Sequence, residues 1–154
     1  MAFTVSITEA ITINGKNQGG TYAGYSNNNV TQVDKKIIKC AVDTELTLYA
    51  AANVAADAAG GALWDDDSIV YARITNLGGT SNFCYIIVKN NDNDEFLYKI
   101  YGTESFILWR HGGTLECIAG AAAVGNTAAI DKVTITADTA IQQVELFIAS
   151  TDAA

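Results

Sequence analysis

The chain contains no proline among its 154 residues, and it has one histidine and one methionine. Proline normally contributes about 5% of a protein, and one of its uses is to blunt exposed strand edges. Without it, edges must be protected by charge or by partners. Charge is also scarce, at 17% of residues, and it is one-sided: 17 acidic against nine basic side chains give a formal charge of -8. Such a field repels phosphate backbones, and no lysine or arginine stripe offers a path for DNA or RNA, so no nucleic-acid partner is expected. Long apolar runs are missing too. The longest, around "CIAGAAAVG" at 117–125, is half of the roughly 20 residues that a membrane-crossing helix needs. The opening "MAFTVSITEA" has no basic region followed by an apolar core. The expectation is a soluble protein with no targeting signal and no membrane contact.

Cysteine is sparse and unpatterned. Cys40, Cys84 and Cys117 are scattered singly, without CxxC spacing, each inside an apolar strand-like run. That arrangement points to free buried thiols in a protein folded in a reducing cytosol, rather than to a disulfide framework or a metal site.

What the sequence does have is alternation. A chain of this length is the size of one domain, so a single domain over 1–154 is expected. Its apolar residues favour Ile, Val and Tyr, with Thr frequent beside them, a balance that leans to strands. Phe3, Val5, Ile7, Ile11 and Ile13 fall on one face, and the pattern returns with Val133 and Ile135 and again with Val144, Leu146 and Ile148. Denser runs lie between, at 35–42, 45–50, 68–77, 82–90, 95–101 and 105–110. About nine strands result, punctuated by Asn14-Gly15, Gly78-Gly79, Gly102 and Gly112-Gly113. No segment sustains a helical period. The alanine-rich stretch 50–64 reads as a short helix or a long connection between sheets, and 119–130 as a second connection. Many antiparallel strands joined by hairpins and long crossings predict an all-β fold, an antiparallel β-sandwich with the jelly roll as its candidate topology. Val5, Ile7, Ile74, Ile86, Val88, Val133, Ile135, Val144, Leu146 and Ile148 are the expected core.

The segment 14–29, "NGKNQGGTYAGYSNNN", is rich in glycine and asparagine and nearly uncharged. It has too little apolar area to order itself. It is expected to be either a flexible loop or an arm that orders on a neighbouring subunit.

Candidate chemistry is thin. "KNNDNDEF" at 89–96 concentrates oxygen ligands, and Asp92 and Asp94 alternate as in a calcium loop, but no glycine follows and Glu95 is adjacent instead of distant. Matched strand runs on both sides make it a hairpin turn. "WDDDS" at 64–68 reads as a solvated loop entering a strand. His111 follows "FILW" at a strand end, and no GxSxG, HExxH or Cys-His spacing accompanies it. Glu104 and Glu116 could be named as a glycosidase pair, but so could any two carboxylates. No catalytic residue, metal ligand or cofactor site is therefore expected, and the protein is expected not to be an enzyme. The candidate partner contacts are Tyr22, Tyr25, Trp64 and Trp109. The two tryptophans fall at strand ends, where an aromatic side chain can anchor a partner or stack on a sugar.

The run "YARITNLGGTSNFCYIIVKNNDNDEFLYKIYGTESFIL" at 71–108 resembles small β-rich virion proteins of tailed bacteriophages, especially those infecting cyanobacteria. In those proteins a strand ending in "RITNL" leads through a turn to "NF", a strand, an Asn/Asp turn, another strand and a "GESF" hairpin, which reads "GTESF" in this chain. The ending "DKVTITADTAIQQVELFIAST" fits the same pattern. The likeness lies in these two runs and is one of texture, with no catalytic motif. It implies a virion component assembled in the host cytoplasm. The expected form is a capsid decoration or cement protein that braces capsid subunits as a homo-oligomer, with three copies suggested by the symmetry of capsid sites. A tail or fibre protein that binds a receptor or a carbohydrate is the alternative.

Overall fold

Each alternating or dense apolar run of the sequence becomes a strand in the computed structural model, which describes residues 1–51, 62–64, 69–90, 95–109, 116–118 and 127–151. In chain order the strands are β1 (Phe3–Thr8), β2 (Thr12–Ile13), β3 (Lys16–Asn17), β4 (Thr21–Asn27), β5 (Gln32–Cys40), β6 (Leu46–Ala51), β7 (Ala62–Trp64), β8 (Ile69–Asn76), β9 (Phe83–Asn90), β10 (Glu95–Tyr101), β11 (Ser105–Trp109), β12 (Glu116–Ile118), β13 (Thr127–Ala137) and β14 (Gln142–Ser150). No helix occurs among the described residues. Most of the stretch expected to be helix or connection at 50–64 lies outside them. The second expected connection, 119–130, ends inside β13, whose first residue is Thr127.

Two sheets carry the fold. One runs β10-β9-β13-β6-β7, with β12 also paired to β13, and the other runs β11-β8-β14-β5. Of these, β5, β6, β8, β9, β10, β11, β13 and β14 pair first with last, second with seventh, third with sixth and fourth with fifth, always antiparallel. That is the order of a jelly roll, a long hairpin rolled into two layers. One core fills the space between the layers, with Leu48, Ile86, Val88, Ile100, Val133 and Ile135 from one sheet meeting Ile74, Val144, Leu146 and Ile148 from the other.

Eight of the ten expected core residues lie in that cluster. Val5 and Ile7 do not. β1 lies on the outer face of the second sheet, where Phe3 and Val5 pack on Val30, Val70, Tyr71, Phe147 and Ala149, and Ile7 is half-buried. Alternation marks a covered face but not the layer that covers it.

The segment 14–29 is not a bare loop. Its residues form β3 and β4, which pair with β2 and β1 as one long hairpin. Asn14 and Gly15 turn it, both with positive φ (51° and 75°) between the partners Ile13 and Lys16. That is the geometry of a two-residue type I′ turn, which Asn-Gly favours because neither residue resists a left-handed backbone. Backbone pairing with β1 supplies the order that the side chains lack. Only the base of the hairpin is covered by the sandwich, and residues 8–18 are exposed throughout.

The strand edges are treated unequally. On the edge strand β5, Asp34 and Lys36 occupy core-facing positions opposite Ile148 and Leu146, and they pair with each other at 3.3 Å. Inward-pointing charge of this kind discourages further strand addition and does part of the work that proline would do.

At one end of the sandwich, Asn76 ties three segments together. Fully buried, its side chain accepts from the Gly78 N–H (2.9 Å) and donates to the Ile100 carbonyl (3.3 Å). Its backbone donates to the Glu104 carbonyl (3.0 Å) and accepts from the Thr103 N–H (2.7 Å). Between β10 and β11 the Glu104 N–H closes a turn onto the Tyr101 carbonyl at 3.1 Å, with Thr103 at φ 74°. The positive φ at the third turn position matches a type II turn, where glycine is the usual occupant. Gly102 beside it allows close packing, since a Cβ there would run into the carbonyl oxygens of Gly78 and Gly79.

Candidate interaction surface

β10, "EFLYKIY", reads as a dense apolar run, yet it is an edge strand. Among the described residues it pairs only with β9, so its outer row of backbone N–H and C=O groups has no ladder partner there. Phe96 (49% exposed), Leu97 (56%) and Tyr98 (42%) follow one another along it, and Tyr101 is exposed near its end. Three consecutive exposed apolar residues on an unpaired edge are uncommon unless they serve a contact.

The rings are organised. Phe96 and Tyr98 stack at 6.4 Å between centroids, and Tyr98 lies 4.9 Å from Phe106 of β11, which packs on the core. This row bridges the rims of the two sheets. A second cluster sits on the outer face of the first sheet, where Phe83 meets Tyr85 at 5.3 Å and Tyr101 at 5.7 Å. The Lys99 ammonium lies 3.4 Å from the Phe83 ring centroid and 4.8 Å from that of Tyr101. The attraction between the cation and the ring faces fixes the lysine over them.

Charges pin β10 at its start. Lys89 of β9 bridges Glu95 (2.8 Å) and Glu45 (2.9 Å), and Glu45 also accepts from the Thr134 hydroxyl (3.1 Å). Lys89 holds the Glu45 carboxyl below the usual carboxylate range, with the Thr134 hydrogen bond assisting. Partial burial opposes the charge on Lys89, but Glu95 and Glu45 outweigh it and raise its pKa. On the outer face of the second sheet, Glu145 bridges Lys35 (3.1 Å) and Arg73, and these two, Lys35 foremost, hold its pKa down.

The residues singled out in the sequence fare differently. Tyr22 and Tyr25 stand on β4 opposite Ile7 and Val5, Trp64 ends β7 and Trp109 ends β11 opposite Tyr71; the surroundings of all four side chains lie outside the described residues. Among the described residues no two of these strands pair with each other. Asn91 to Asp94, Asp65 to Asp67 and His111 also fall outside, while the described residues on either side of the first stretch pair, Glu95 with Lys89. Glu104 receives the Tyr101 N–H at 2.9 Å, a turn-closing contact. Cys40 and Cys84 are free, buried thiols from opposite sheets. The neighbouring Cys40 sulfur and burial both push the Cys84 thiol up, so it stays protonated. Cys117 lies on β12, its side chain outside the described residues. No group of three or more His, Cys, Asp or Glu that could hold a metal ion occurs among the described residues.

Sequence reasoning missed the β10 edge. The only local signal was the unbroken "EFLY", which lacks the polar alternation of a strand with one solvated face. Comparison with known proteins adds no relative: no protein-family model, no curated protein and no solved structure matches the chain.

Proposed function

We propose that the chain is a non-enzymatic structural protein of a phage particle, a decoration protein that sits on the capsid as a homo-oligomer of three copies and braces neighbouring capsid subunits. The observation that carries this reading is the β10 edge, where Phe96, Leu97, Tyr98 and Tyr101 leave apolar surface open to a partner. The jelly-roll order adds support by analogy, since shells are often built from this architecture, although fold alone does not fix function. The resemblance of 71–108 to phage virion proteins points the same way. Free Cys40 and Cys84 suit assembly in a reducing cytoplasm. Repeated copies on a symmetric shell convert weak single contacts into firm attachment.

A tail or fibre protein that binds a carbohydrate is the second reading, favoured by the outer-face aromatic cluster of half-buried Phe83 and Tyr85 with exposed Tyr101. Against it, Lys99 lies over the Phe83 face on which a sugar ring would stack. Copy number in purified particles, measured by mass spectrometry and imaging, tests both. Hundreds of copies on the shell support the decoration role, while a handful confined to the tail refute it. Glycan binding lost on Tyr101→Ala would promote the second reading.

A further inference from the structure

We infer that the distal half of the N-terminal hairpin is an exchange arm that docks on the β10 edge of a second copy of this chain. The inference rests on the proposal that the chain works as an assembled oligomer, and it names the contact that would hold the oligomer together.

Three observations carry it. The first is the state of the arm. Residues 8–18 are exposed, and Ile11 (44% exposed) and Ile13 (56%) alternate on one face, where Lys16 sits directly opposite Ile13. A two-stranded hairpin with no covered face is marginally stable in water, so an ordered one calls for a surface to lie on. The second is the match in form. From Thr8 to the turn at Asn14 the arm extends about 20 Å, close to the length of the seven-residue β10. β10 offers a backbone row with no ladder partner among the described residues, together with Phe96, Leu97 and Tyr98. An extended segment laid on such an edge gains main-chain hydrogen bonds and seats alternate side chains. The third is charge. The arm, residues 8–18, carries one acidic and one basic side chain, Glu9 and Lys16, so 16 of the 17 acidic side chains lie elsewhere in a chain of net charge -8. The arm is thus neutral and approaches a second copy of the acidic chain with little repulsion, and the exposed Glu104, just past the end of β10, can receive Lys16. Because arm and edge are different patches of one chain, each copy gives one contact and receives one, a head-to-tail contact that makes a ring when the rotation between copies closes.

The test is self-association of the purified full chain, by native mass spectrometry and light scattering across a dilution series. The wild type should form a closed oligomer, and Ile11→Asp with Ile13→Asp should weaken association roughly 100-fold, about tenfold for each apolar anchor lost. The circular dichroism spectrum and melting temperature of the dissociated double variant should stay near those of the dissociated wild type, because both positions are exposed. Should the double variant fold poorly, a mixture of Ile13→Cys and Leu97→Cys chains, oxidised and peptide-mapped, should give a bond between positions 13 and 97 that neither variant forms alone. A wild type that remains monomeric, an oligomer indifferent to the arm substitutions, or a mixture without the 13–97 bond would each overturn the inference. Particle copy number is independent of these results. A monomeric chain found in hundreds of copies on shells would sink the arm exchange and leave the decoration role standing. An arm-linked oligomer absent from particles would do the reverse.

Discussion

Asn76 offers the sharpest test of how the sandwich end is held. Replacing it by alanine removes the donor to the Ile100 carbonyl and the acceptor for the Gly78 N–H, at a residue with no exposed surface. An ordinary hydrogen bond contributes about 1 kcal/mol net, but a buried group left without a partner costs about 1–3 kcal/mol. The buried Ile100 carbonyl is stranded and the half-buried Gly78 N–H loses an ordinary hydrogen bond, so Asn76→Ala should destabilise the fold by roughly 2–4 kcal/mol. Asn76→Asp sharpens the argument. An aspartate can still accept from Gly78, but when ionised it cannot donate to Ile100 and is buried without a cation, so its folded-state pKa must rise above its unfolded value. The loss relative to wild type should therefore be greatest at neutral pH and shrink as the pH falls through that raised pKa, where the protonated acid can donate again. Urea denaturation followed by circular dichroism, with m unchanged, reads both effects. A loss below about 0.5 kcal/mol for Asn76→Ala, in the range of an ordinary surface substitution, or an Asn76→Asp deficit that is flat with pH, would refute the reasoning.

Thr103 holds a positive φ that a β-branched residue resists, so Thr103→Gly should stabilise the protein by about 0.5–1 kcal/mol; a lower melting temperature would contradict this. Leu146, 1% exposed on the central strand β14, should cost about 2–5 kcal/mol as alanine, whereas Ile37→Ser at a 61% exposed edge position should stay within about 0.5 kcal/mol, and equal losses in denaturant titrations would count against the assigned core. Glu45 and Glu145 have folded-state pKa values held below the unfolded ones by Lys89, and by Lys35 and Arg73. Their contribution is present above the unfolded carboxylate range and is lost as pH falls through the lower folded values, so stability should decline from pH 5 towards pH 3, less steeply in Glu145→Gln. A profile that is flat or rises on acidification would show that these pairs stabilise nothing.

The sequence by itself determined the strands and the faces they bury. Val144, Leu146 and Ile148 alternate with Glu145 and Phe147, and the first three enter the core because a pleated strand sends successive side chains to opposite sides. Asn14-Gly15 specified a tight hairpin turn through backbone preferences that any chain would feel. These are local properties, legible within a few residues. Only the tertiary structure decided which strands stand at an edge and which layer covers a given face. "EFLYKIY" is as apolar as an interior strand, yet β10 is exposed because among the described residues it pairs with β9 alone, a pairing that no residue of β10 encodes. Residues 21–27 gain order from β1, up to 24 positions away in the chain, and Val5 is covered by Phe147 and Ala149 of the last strand instead of the main core. Glu145 meets Lys35 and Arg73 only because β14 lies between β5 and β8. Alternation says that a side of a strand is covered, but the covering atoms come from distant segments, and their arrival is fixed by the joint packing of the whole chain.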